Sequence, residues 1–169
     1  MQLCRIGAFI LASAALAALP AVALAQTGCT GHASVQHWLD DYQRAFEARN
    51  TKAVMALYAP DLVAYDITPP LQYTGMNSYT HDYATYFAAY KGPMHLEFRD
   101  CHIAESGDLA VVFYLQRVTA TFTNGKPSTI WLRVTTALRR VNGHWLDFHD
   151  HVSVPTDFDT GKSLIDLHP

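Results

Sequence analysis

The sequence predicts an α+β domain in which three N-terminal helices pack on one face of a curved, mostly antiparallel sheet. Three observations carry that expectation. Apolar residues recur at helical spacing as far as Gly92 and alternate at strand spacing from Pro93 onward. The later segments "MHLEFRDCHIAES", "LAVVFYLQRVTATFT", "STIWLRVTTALRRV" and "HWLDFHDHVSV" are long, and only "SGD", "TNGKP" and "NG" separate them, which is the pattern of consecutive hairpins. The chain has 169 residues, half of them apolar and 16% charged, with no repeat or linker, so it is read as one domain around one core.

The first segment stands outside that domain. "MQLCRIGAFILASAALAALPAVALA" carries one early cation, Arg5, then an Ala- and Leu-rich run closed by small residues. This is the pattern of a cleaved leader spanning residues 1–25, with the folded domain in 26–169 and a periplasmic or secreted destination. After it, "ASVQHWLDDYQRAFEARN" places Val35, Trp38, Leu39, Tyr42 and Phe46 on one helical face, with Ser34 as N-cap and Asn50 at the end. "TKAVMALYAPD" reads as a shorter helix stopped by Pro60, "LVAYDI" as a strand, and "TPPLQYTG" as a loop because paired prolines forbid a helix. "NSYTHDYATYFAAYKG" is the third helix. Its stripe of Tyr79, Tyr83, Tyr86, Phe87 and Tyr90 reads first as core, and Gly92 supplies the stop.

Charge and cysteine content narrow the partners. Without Arg5 the remaining eleven basic residues face fifteen acidic ones, which argues against a nucleic-acid partner. No segment after the leader has the length and hydropathy to span a membrane. Cys4 leaves with the leader, and Cys29 and Cys101 remain as an even pair, either a disulfide or two separate buried thiols. Strands such as "LAVVFYL" are apolar on both faces. One face meets the helices, and the other is expected to meet a second subunit in a homodimer.

The order helix, helix, strand, helix, four long strands resembles the nuclear transport factor 2-like fold, a cone-shaped half-barrel. "YDITPPLQYTGMNSYTHDYATYF" and "WLRVTTALRRVNGHWLDFHDHVSVPTDFDTGKSLIDLHP" resemble more closely the SnoaL-like, ketosteroid-isomerase-homologue family, over residues 33–169. In ketosteroid isomerases an aspartate on the first strand is the base, and a tyrosine on the first helix stabilises the dienolate. An ungapped alignment of "DYQRAFEARNTKAVMALYAPDLVAYD" puts Tyr42 and Asp66 at those positions. A carboxylate in an apolar cone becomes a better base near neutrality, and a phenol hydroxyl hydrogen-bonds an oxyanion as it forms. The protonated acid those isomerases also use is replaced by an apolar residue, Ala137 or a neighbour. The alternatives are that Asp66 only caps the Pro69-Pro70 turn and that Tyr42 is a core residue.

Trp131, Arg133 and Thr135 share one face of their strand, and their pattern resembles the kinase II association domain, in which arginines enter the pocket. The resemblance implies Arg133 as a pocket cation, with Asp66 or an acidic ligand as its partner; the alternative is a structural ion pair near the strand end. Trp38 and Tyr83 are further candidate ligand contacts. In "GHWLDFHDHVSVP", strict alternation sets His149 and His151 on one face with Trp145, Asp147 and Ser153. Both histidines are read as pocket residues, His149 also as an acid or base. Three donors along one strand converge poorly on an ion, and His95 and His102 differ in parity unless a bulge intervenes, so no metal is assigned. Iota-class carbonic anhydrases share the fold but end in "HHSS", which "HDHVS" does not match.

The expectation is therefore a pocket protein for a small, largely apolar ligand, with no cofactor. It is either an isomerase or lyase using Asp66 as base, or a non-catalytic binding or dimerisation module. A metal-dependent hydrolase and an iota-type carbonic anhydrase are the remaining alternatives.

Overall fold

The structure, a computed structural model, describes Cys29 and residues 33–169; the expected leader lies outside the described residues. Helix α1 (Ala33–Glu47) buries Val35, Trp38, Leu39, Tyr42 and Phe46, the stripe its spacing predicts. Ser34 sits inside its first turn and accepts a hydrogen bond from the Trp145 indole at 3.1 Å, tying the helix to the end of the sheet. Asn50 caps α2 (Thr51–Met55), its side chain accepting the Ala53 N–H at 3.0 Å. That helix is a single turn. The residues expected to continue it enter β1 (Tyr58–Tyr65) instead, because the Leu57 carbonyl already accepts the backbone N–H of Asp147 at 2.8 Å. Strand pairing satisfies this backbone better than an isolated short helix would.

The short β2 (Tyr73–Thr74) precedes α3 (Met76–Ala88), and the long strands follow: β3 (Tyr90–Ser106), β4 (Leu109–Phe122), β5 (Pro127–Val141) and β6 (His144–Ser153). They form one six-stranded sheet in the order β2-β1-β6-β5-β4-β3, and a separate hairpin joins β7 (Thr156–Asp157) to β8 (Lys162–Ser163). Every pairing in the large sheet is antiparallel except β1 with β6. Asn142 and Gly143 link β5 to β6 with φ of 52° and 82°, the pair of positive angles a two-residue hairpin turn needs. Helices α1 and α3 cover the inner face of the sheet, where Leu39, Leu62, Val112 and Leu138 are fully buried. No described helix is long and apolar enough to cross a membrane.

Two register shifts decide which side chains face inward. On β3, Arg99 opposes Leu115 and His102 opposes Phe113, so β3 holds one extra residue there. The extra residue turns both Phe98 and Cys101 toward the core, where Cys101 forms a disulfide with Cys29 across 72 residues of chain. On β6, Asp147 opposes Leu138 and His149 opposes Ala137, which leaves Phe148 unpaired. Side-chain parity reverses at Phe148. Trp145, Asp147 and Asp150 are buried, whereas His151 is exposed.

The second bulge puts a carboxyl group in the core. Asp147 is fully buried and, among the described residues, neither of its oxygens meets a donor at hydrogen-bond geometry. Burial first, and then the like charge of Asp150, push it well above the ordinary carboxylate range. It therefore holds its proton to a higher pH in the folded chain than in the unfolded one. A raised acid of this kind gives its full stability below the unfolded pKa, near 4, and loses it as pH rises.

Two outcomes are expected. Cys101→Ser should lower the urea midpoint and cost about 4 kcal/mol in the loop-entropy limit. Asp147→Asn should raise the midpoint at pH 8 more than at pH 5, removing a slope of up to about 1.4 kcal/mol per pH unit. Urea titrations of both variants at the two pH values check this, and a midpoint for Asp147→Asn that falls at pH 8 would contradict a neutral Asp147.

Candidate functional site

Between the inner face of the sheet and helices α1 and α3 lies a cavity of about 580 Å³, within the size range of small-molecule sites. Most of its wall is apolar or aromatic, from Phe46, Tyr86, Tyr90, Phe122, Leu132 and Val152. Gln116, Lys126, Ser128, Thr129 and Asp166 add polar groups to this wall, and two further places bring an acid and a phenol to it. At one, Asp66 follows β1 and lines the cavity beside Asp82 of α3. At the other, Tyr42 of α1 and Tyr83 of α3 present their rings on the same cavity.

Asp66 is both a turn cap and a cavity residue. One carboxylate oxygen accepts the N–H of Ile67 at 2.6 Å, and the other accepts the hydroxyl of Tyr79 at 3.0 Å. Burial raises its pKa, outweighing the Tyr79 hydrogen bond that favours the anion, and the nearby charge of Asp82 raises it further. Asp82 is itself held by the hydroxyl of Tyr73 at 2.7 Å and that of Thr68 at 3.2 Å, so the loop after β1 is fastened to α3. Asp66 also borders a second, more open recess of about 550 Å³ lined by Leu71, His151 and Val154.

Behind the tyrosines runs a chain of buried hydroxyls. Tyr42 Oη lies 2.9 Å from Tyr83 Oη, which lies 3.1 Å from Tyr58 Oη, which lies 2.9 Å from a carboxyl oxygen of Asp150. The other Asp150 oxygen accepts the Thr136 hydroxyl at 2.8 Å. Burial pushes Asp150 up to about 6, against the Thr136 and Tyr58 hydroxyls that favour its anion. Burial also raises the pKa values of Tyr42, Tyr58 and Tyr83 well above the usual phenol range, so all three keep their protons.

Three of the residues expected at the site from sequence do line the cavity: Asp66, Tyr42 and Tyr83. Trp38 does not. It is buried in the core, stacked on Tyr42 at 5.6 Å between ring centroids. Trp131, Arg133 and Thr135 face outward, because the inward positions of β5 are Leu132, Val134, Thr136 and Leu138. Arg133 is exposed on the face opposite Asp66, which corrects its assignment as a pocket cation paired with that residue.

His149 and His151 are likewise outside the cavity, on the outer face with Arg133, because Phe148 reverses the alternation that grouped them with Asp147. His149 Nδ1 is 2.8 Å from the Val63 carbonyl, which fixes that nitrogen as the protonated one, and Tyr65 stands edge-on to both rings. The bulge in β3 does place His95 and His102 on a common outer face, but β4 and β5 separate that strand from β6. Among the described residues no three His, Cys, Asp or Glu side chains are arranged to hold a metal ion.

The polar residues that sequence reasoning missed are Tyr58, Tyr79, Asp82, Gln116 and Asp150. The spacing of "TKAVMALYAPD" predicts a helix over Tyr58, and that of α3 predicts Tyr79 as a core residue. Gln116 is buried on β4 and lines the cavity at an inward position of a strand whose inner face is otherwise apolar.

Comparison with known proteins places the chain. Its residues 35–157 match the SnoaL-like domain. A nuclear transport factor 2-like protein of unknown function from Pseudomonas putida KT2440 is 30% identical, with a TM-score of 0.72 over 80% of this chain and 94% of that one. A protein from Xanthomonas campestris, described as a candidate calcium/calmodulin dependent protein kinase II association domain, is 25% identical, with a TM-score of 0.65 over 81% of this chain and 91% of that one. A ketosteroid isomerase-like protein from Erwinia carotovora atroseptica SCRI1043 shares the fold at 23% identity, with a TM-score of 0.62 over 72% of this chain and 93% of that one. No curated protein matches the sequence. With its domain match, its six-stranded sheet and its cavity under α1 and α3, the chain belongs to the SnoaL-like family of the nuclear transport factor 2-like superfamily.

Proposed function

We propose that the protein binds a small, largely apolar carbonyl compound in the inner cavity and moves a proton on it, with Asp66 as general base and Tyr42 as donor to the oxyanion. The observation that carries this reading is the placement of a desolvated carboxylate and a buried phenol on one apolar cavity. Abstraction of a proton α to a carbonyl needs a base whose pKa approaches the working pH and a hydrogen-bond donor where the enolate charge develops. The chain supplies both from its own side chains, so the step asks for no cofactor.

The test is hydrogen–deuterium exchange at the α-carbon of 2-acetylnaphthalene, followed by NMR in heavy water with the folded domain, residues 26–169. Asp66→Asn should slow exchange by about 10²-fold or more, and Tyr42→Phe by about 10²-fold. Saturable binding of the ketone with exchange no faster than in buffer would instead favour a non-catalytic ligand-binding module.

A second feature supports self-association. On the outer face Leu109, Val111 and Phe113 of β4 are 56%, 40% and 47% exposed in a continuous row. A row of this kind on an antiparallel sheet is a surface for a partner, and a second copy of the same sheet matches it. We assign a homodimer to this face and a periplasmic or secreted location to the chain; the disulfide supports an oxidising compartment. Phe113→Glu should convert a dimer to a monomer in sedimentation velocity while leaving the inner cavity intact. A monomeric parent protein would remove the assignment.

A further inference from the structure

The hydroxyl chain behind the cavity has a direction, and the number of its protons fixes it. Each phenol carries one proton and donates one hydrogen bond. When Asp150 is ionised it only accepts, so Tyr58 spends its proton on the carboxylate. The 3.1 Å contact between Tyr58 and Tyr83 must then use the proton of Tyr83, and the 2.9 Å contact between Tyr83 and Tyr42 must use that of Tyr42. Tyr42 is left with lone pairs toward the cavity. When Asp150 carries a proton on the same oxygen, each donation reverses. The acid donates to Tyr58, Tyr58 to Tyr83 and Tyr83 to Tyr42, and the Tyr42 proton is free for a ligand.

Among the described residues no lysine or arginine hydrogen-bonds to the hydroxyls of this chain or to Asp150. Thr136 on β5 donates to the other Asp150 oxygen, with the Tyr114 hydroxyl of β4 3.5 Å behind it. From its own strand Asp150 faces Asp147, whose pKa its like charge raises, and His149, whose charge when present favours the Asp150 anion. Tyr79 on α3 interacts with the Asp150 charge, and Asp66 at the end of β1 repels it.

We propose that Asp150, acting through Tyr58 and Tyr83, sets whether Tyr42 presents a donor or an acceptor to the cavity, so that protonation of one buried carboxyl switches the ligand class from hydroxyl compounds to carbonyl compounds. Asp150 is a positioning residue in this scheme, touching no ligand. The inference deepens the reading of the cavity as a carbonyl site, because enolate stabilisation requires the donor form of Tyr42. Proton transfer then needs Asp66 ionised and Asp150 protonated together, which confines it to a window whose alkaline limb belongs to Asp150, near pH 6.

Two measurements on the disulfide-bonded domain test it. In the ligand-free protein, ¹³C NMR of carboxyl-labelled aspartate and ring-labelled tyrosine should show the Cζ signals of Tyr42, Tyr58 and Tyr83 moving with the Asp150 carboxyl at one midpoint. Affinities of 2-naphthol and 2-acetylnaphthalene, neither of which changes charge in this window, should then change in opposite directions as pH rises through about 6. The naphthol should gain and the ketone lose roughly threefold to tenfold, the worth of one hydrogen bond. Tyr58→Phe cuts the chain without touching a carboxyl and should flatten both profiles, as should Asp150→Asn where circular dichroism shows it folded. Tyrosine carbons that stay still while Asp150 titrates, or affinities that shift in the same direction, would overturn the switch. Coupled NMR titration with no binding of either naphthalene would uphold it and reject the carbonyl-ligand reading instead.

Discussion

Between Asp147 and His149, β6 carries one residue more than β5 opposes, and Phe148 occupies the place. The two buried carboxyls of the interior depend on that insertion. With strict alternation a strand presents i and i+2 to the core; with one residue inserted it presents i and i+3, and here those are Asp147 and Asp150. Two carboxyls from one strand then stand in an apolar interior, where at most one can readily be charged. Asp147 keeps its proton, and Asp150, with hydroxyls from β1 and β5 on its two oxygens, is the one that ionises. The same reversal sends both histidines to the outer face, where His149 is fixed by the Val63 carbonyl of the parallel neighbour β1.

The neighbouring elements are arranged around this pair. The parallel pairing of β1 with β6 also shifts register, with Tyr58 opposite Asp147 but Val63 opposite His149. The shift lets the Tyr58 hydroxyl reach Asp150 while Asp66, eight residues on, emerges at the cavity. Helix α3 spans the distance between the two carboxylates with tyrosines one turn apart, Tyr79 on Asp66 and Tyr83 on Tyr58. A one-turn step on a helix keeps both hydroxyls on one face, so the helix that looks like an aromatic core stripe is also the hydrogen-bonding wall of the cavity. Its rings pack edge to face, Tyr79 against Tyr83 at 5.0 Å, and this packing holds each hydroxyl where its partner needs it.

This explains which parts of the molecule were legible in the sequence. Helical stripes and alternating strands are local patterns, so the order of elements, the buried face of α1 and the Asn142-Gly143 hairpin could be read directly. Asp66 and Tyr42 could be placed because the segment between them is short and carries no insertion. Arg133, Thr135 and Trp131 were placed on the wrong side because parity gives two faces but not which of them meets the helices. That choice depends on long-range packing of Leu132 and Val134. His149 and His151 were misplaced for another reason. A bulge has no residue signature as strong as Asn-Gly has for a hairpin, and Phe148 is an ordinary strand residue on both readings. Tyr58 was hidden by the short helix preceding it, whose end is set by a hydrogen bond to β6 far along the chain.

A cavity with the Asp66 carboxylate at its edge and that of Asp150 sealed behind its wall has two different uses for the same functional group. Asp66 reaches the cavity, so its charge acts on a ligand directly. Asp150 is screened from the cavity by three phenols, and what it transmits is the orientation of their O–H bonds. Such a signal costs little to carry, because each phenol only turns its proton from one neighbour to the other, and no ring has to leave its packing. It also explains the tyrosines. Phenylalanine would fill the same volume beside the sheet at less desolvation cost, but it would break the line of donors and acceptors that joins a buried acid to a ligand it never meets.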